Sequence, residues 1–74
     1  MNQVACGVYK HFNGSYFRVI GVSTHTETRE PLVVCERLGL MDLWSIPLDK
    51  FTSKVDKEKY PDATQEYRFR FISY

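Results

Sequence analysis

The chain has 74 residues, 43% hydrophobic and 15% aromatic, with ten Lys and Arg against nine Asp and Glu. So short a chain predicts one domain with a thin core and a stability of only about 3–5 kcal/mol unless it pairs as a homodimer. The net charge of +1 excludes binding dominated by phosphate-backbone contacts, and no apolar run reaches the roughly 18–20 residues of a membrane-spanning helix, so a soluble cytoplasmic protein is expected.

The first strand is predicted over Gly7 to Phe12, ending at Asn13-Gly14, a dipeptide that tolerates positive φ and favours a tight hairpin. The second runs from Tyr16 to Ser23 and is rich in the aromatic and β-branched residues that suit a pleated surface. Polar Thr24 to Glu30 follows. Pro31 resets the backbone before a third strand over Leu32 to Leu38, and Gly39 and Asp42 bracket the next turn. Leu43 to Ile46 is a short fourth strand stopped by Pro47, which has no ladder N–H. Leu48 to Phe51 suits a single helical turn, too short to stand alone. A further strand is expected to begin near Thr52, and the charged stretch from Asp56 to Asp62 reads as an exposed loop. Gln65 to Ile72 alternates Tyr67, Phe69 and Phe71 with Glu66, Arg68 and Arg70, the pattern of a half-buried strand. Together these predict a mainly β fold of about five to six antiparallel strands. It is a small bent sheet or a partly closed SH3-like barrel, in which closure would remove exposed edges.

The register of the first hairpin decides which side chains are buried. A two-residue Asn13-Gly14 loop sets Lys10 opposite Phe17 and buries a lysine. A three-residue loop ending at Ser15 puts Tyr9, His11, Phe17 and Val19 on one face, with Lys10 and Arg18 in water. Burying an imidazole costs less than burying an ammonium, so the second register is expected. Lys10 and Arg18 are the only charged side chains before Glu27, and no acid follows Arg68 and Arg70. If the two ends of the chain meet, a modest basic face results.

Two cysteines, Cys6 and Cys35, are too few for a disulfide framework and lack metal-ligand spacing; Cys35 reads as a buried thiol. In Thr24-His25-Thr26-Glu27-Thr28, an extended backbone would project His25 and Glu27 to one side with Cα atoms about 6.5–7 Å apart. A carboxylate beside an imidazole suits a general acid or base near neutral pH. The same residues also suit a polar connection whose hydroxyls satisfy the backbone. His11, His25 and Glu27 lack the tight spacing of zinc motifs, and the four scattered glycines form no phosphate loop, so no metal or cofactor is expected. Trp44 reads either as a core ring or as the floor of a groove.

The runs G-V-Y-K-H-F-N-G, F-R-V-I-G-V-S-T-H-T-E-T-R-E-P-L-V-V and L-W-S-I-P-L-D-K-F resemble the domain of unknown function 1653 family, small bacterial proteins, over about Gly7 to Phe71. Tyr9, His11, Gly14, Val19, Gly21, His25, Glu27, Thr28, Val33, Val34, Trp44, Pro47 and Phe51 match that family's recurrent positions. Phe17, Cys35 and Ile46 depart from it, standing where a tyrosine, an aromatic and an arginine are usual. The resemblance implies no activity, but it weighs against reading His25, Glu27 and Thr28 as only a connection, since recurrent polar loop residues more often bind than pack. The leading expectation is a non-catalytic module with a cleft lined by His11, His25, Glu27, Thr28 and Trp44, for a peptide, protein or small polar ligand. One alternative is a small hydrolase using His25 oriented by Glu27. The other is weak single-stranded nucleic-acid binding through Tyr9, Tyr16, Arg18, Arg68 and Arg70.

Overall fold

The computed structural model describes residues 4–74. Its strands are β1 (Gly7–His11), β2 (Tyr16–Thr24), β3 (Pro31–Arg37), β4 (Asp42–Pro47) and β5 (Phe69–Ser73), with one helical turn, α1 (Leu48–Phe51), after β4. They form one antiparallel sheet in the order β4-β3-β2-β1-β5. The first four strands make a meander, and the chain then returns to lay β5 beside β1. β4 and β5 are the two edges and do not pair, so the sheet stays open: the bent sheet forms, and a closed barrel does not. Irregularities between Val19 and Gly21 and between Val8 and Tyr9 interrupt the ladders, where an extra residue bends a strand. No helix among the described residues is long and apolar enough to cross a membrane.

The first hairpin has a three-residue loop, as expected, but it comprises Phe12, Asn13 and Gly14 and closes one residue before Ser15. Tyr9 pairs with Phe17 and Lys10 with Tyr16, and the His11 N–H donates to the Ser15 carbonyl at 2.8 Å. Relative to the expected pairing the shift is two residues, so the faces are unchanged. Tyr9, Phe17 and Val19 are buried and Arg18 faces water.

Those three residues share the inner face with Val33 and Cys35 of β3, which are fully buried. Pro47 ends β4 and turns the chain so that α1 lays Phe51 over this face. The Phe51 ring stacks on Phe69 of β5 at 4.2 Å and meets Tyr9 edge-on at 5.2 Å. A thin core is thus filled by rings, each of which hides a large apolar area for few ordered residues.

The strand expected near Thr52 is reduced to one bridge between Lys54 and Tyr67, and the alternating segment from Gln65 joins the ladder only at Phe69. Other partners take its earlier backbone groups. The Val55 N–H donates to the Glu66 carbonyl, the Arg68 N–H to Ser53, and the Phe12 N–H to the Arg68 carbonyl.

Candidate functional site

His11 ends β1 and lies among rings, 4.5 Å from Phe12, 4.8 Å from Phe69 and 6.2 Å from Phe17. Its Nδ1 accepts the Asn13 N–H at 3.2 Å, which fixes the first hairpin loop. Burial pushes its pKa below the ordinary histidine value, and Arg68 lowers it further. His11 is therefore a neutral ring that braces a turn.

His25 follows the last β2–β3 pair, Thr24 with Pro31. Its N–H donates to the Glu30 carbonyl at 2.9 Å, and its own carbonyl accepts the Arg29 N–H at 3.0 Å, closing a loop over Thr26 to Arg29. Arg29 takes the left-handed conformation, φ +64°, that such a closure requires. Nδ1 of His25 accepts the backbone N–H groups of Glu27 and Thr28 at 3.2 and 3.3 Å, and Thr28 Oγ1 accepts the Glu30 N–H at 3.3 Å. The imidazole thus performs the task that Asn or Asp side chains perform at the start of a turn.

Because the segment turns instead of extending, the side-by-side projection of His25 and Glu27 does not arise. Among the described residues no hydrogen bond or ion pair joins the Glu27 carboxylate to either histidine, and Glu27 is exposed. Nor do the two imidazoles share a site. His11 and His25 flank the opposite ends of nine-residue β2, roughly 30 Å apart along the strand. Among the described residues no three His, Cys, Asp or Glu side chains converge as a metal site would need. Five surface depressions of 220–420 Å³ lie elsewhere, and none is lined by His11, His25, Glu27, Thr28 or Trp44.

Trp44 has a different setting. It pairs with Cys35 from the edge strand β4 and remains 45% exposed, at the rim of the inner face and outside the core. The Arg37 guanidinium lies over its ring at 5.6 Å and donates to Asp42 Oδ2 at 3.1 Å, so the ring is held from below. The adjoining β3–β4 turn displays Leu38, Leu40 and Met41, with Met41 91% exposed, while Leu43 of β4, 69% exposed, projects to the opposite face of the sheet from Trp44. Met41 also holds φ +56°, a left-handed conformation costly for a residue other than Gly or Asn. A depression of about 350 Å³ between Tyr16, Arg37, Leu38 and Leu40 adjoins the patch. The signal was present in the sequence: L-G-L-M-D-L-W carries apolar side chains through a turn, where Gly, Asn, Asp and Ser normally dominate. Reading Gly39 and Asp42 only as turn brackets passes over it.

A family model described as a protein of unknown function (DUF1653) matches residues 7–71. No curated protein matches the sequence. The structure is similar to the crystal structure of a DUF1653 protein from Bordetella bronchiseptica, with a TM-score of 0.81 and 26% identity over 96% of this chain and 90% of that chain. With nearly its whole length matched in sequence and in backbone, the chain belongs to the DUF1653 family.

Proposed function

We propose that this protein is a non-catalytic binding module that takes an extended apolar peptide along the free edge of β4. The observation that carries this reading is Trp44, half-exposed on an edge strand that also bears exposed Leu43 on its other face and follows exposed Met41 of the turn. An edge strand offers unpaired backbone N–H and C=O groups to any extended segment, and proteins usually blunt such an edge with charge or proline. Here the run from Met41 to Ile46 contains one charged residue, Asp42, which Arg37 already engages. Backbone pairing supplies affinity in strand addition, while side-chain contacts such as those to Trp44 and the leucines supply preference. The strain at Met41 supports the same reading, because unfavourable backbone is retained mainly where a function needs it.

Selection from a displayed random-peptide library, followed by affinity measurement on the recovered peptides, tests the proposal. Trp44→Ala is expected to weaken recovered apolar peptides at least about tenfold, the loss typical of an aromatic anchor. Peptides that bind the folded variant equally well would overturn it. So would a monomer–dimer equilibrium abolished by the same substitution, which would give the edge to a second copy.

A further inference from the structure

We propose that the outer face of the sheet, opposite the helix and the core, binds single-stranded nucleic acid around a row formed by Tyr16, Lys10 and Arg70. Lys10 lies directly opposite Tyr16 on β2 and directly opposite Arg70 on β5, so the three side chains cross adjacent strands on one face. This is the meeting of the basic ends of the chain: residue 10 and residue 70 become neighbours because β5 is laid beside β1.

Like charges directly opposite on neighbouring strands destabilise a sheet, so such a pair calls for an anion. None is supplied from within the described residues, whose ion pairs join Arg18 to Glu36, Arg37 to Asp42 and Lys54 to Glu66. Arg18, two residues beyond Tyr16 on the same face, is a third cation, but Glu36 beside it forms an ion pair with it and takes up part of its charge. Tyr16 is 44% exposed and offers a ring on which any base can stack. No element covers this face, and a flat ring-and-cation surface suits a strand of unpaired bases better than a small enclosed ion. Unpaired Lys10 and Arg70, with Arg18 shared with Glu36, set the scale: two or at most three phosphate contacts, hence modest affinity.

Fluorescence anisotropy with a labelled 15-nucleotide oligothymidylate tests this across a salt series. With roughly 0.7 per phosphate contact on single strands, two to three contacts give a slope of log affinity against log salt of about −1.4 to −2. The double variant Lys10→Glu/Arg70→Glu is expected to lower affinity at least about tenfold and flatten the slope. Tyr16→Ala should weaken binding with the slope retained, because it removes stacking and leaves the charges. Lys59→Glu, a cation in another part of the chain, should leave both unchanged. If the double variant fails to fold, Arg70→Gln at this exposed position makes the same test. Absent or salt-insensitive binding, an unaltered Arg70→Gln variant, equal competition by duplex, or release by inorganic phosphate at matched ionic strength would each overturn the proposal.

Discussion

The backbone N–H of Glu27 donates to Nδ1 of His25 at 3.2 Å, so these two residues meet through the main chain and not as an imidazole–carboxylate pair. The lone pair that a general base would offer to substrate is already shared by two amides of its own loop. An Asn side chain presents an oxygen at a comparable reach. His25→Asn is therefore expected to keep wild-type stability, whereas His25→Ala leaves two turn amides without their acceptor and costs about 1 kcal/mol. Urea denaturation of the two variants checks this.

His11 makes the fold acid-sensitive. Its folded-state pKa is depressed by burial below the 6.5 of a free histidine, so the unfolded chain takes up a proton that the folded chain refuses. The resulting stability is fully present above about pH 6.5 and is lost as pH falls toward the depressed value. Unfolding free energies at pH 7.5 and pH 5.0 should differ more in the wild type than in His11→Phe, which keeps a ring against Phe17 and Phe69.

Met41 carries a stability cost at the tip of the β3–β4 turn. Replacing it with Gly at φ +56° should stabilise the fold by about 1 kcal/mol, the penalty of a left-handed conformation for a side chain with a Cβ. Thermal denaturation reads the gain. The same variant should bind edge-strand peptides less tightly, since the most exposed apolar side chain of the patch is gone.

Gly7 allows β5 to approach β1. It holds φ +150°, and a Cβ there would stand 2.6 Å from the Ser73 carbonyl oxygen, a backbone atom that cannot swing away. Gly7→Ala is expected to cost about 2–3 kcal/mol and to loosen β5 first. Hydrogen exchange at the β5 amides, compared with those of β3, locates the damage.

The two thiols should separate cleanly. Cys35 is fully buried and burial pushes its pKa up to about 11, while Cys6 is exposed just before β1. Reaction with an aromatic disulfide reagent at pH 8 should modify one cysteine quickly and the second only in denaturant.

Period and turn chemistry made most of the sheet legible in the sequence. Asn13-Gly14 announced the first hairpin, Pro47 the end of β4, and the preference for a buried imidazole over a buried ammonium chose the correct faces for Tyr9 and Lys10. The candidate site was less legible. Whether His25-Thr26-Glu27 extends or turns depends on hydrogen bonds between His25 and Glu30 across the loop, and no local propensity fixes those. Trp44 was ambiguous for a related reason, because an aromatic in a strand is core in a central position and surface at an edge, and edge status is decided by which strand pairs last.

The strand order also has a temporal meaning. β1 precedes the other described strands in the chain, yet its second partner is β5, whose Phe69 and Phe71 complete the ring cluster around Tyr9. A nascent chain on the ribosome leaves one side of β1 bare until residue 73 has emerged, because β5 follows the other described strands in the chain. Folding then waits on that closure, and any truncation or stalled synthesis before Phe69 leaves β1 as a bare edge, paired with β2 on one side only, the kind of species that chaperones and proteases remove.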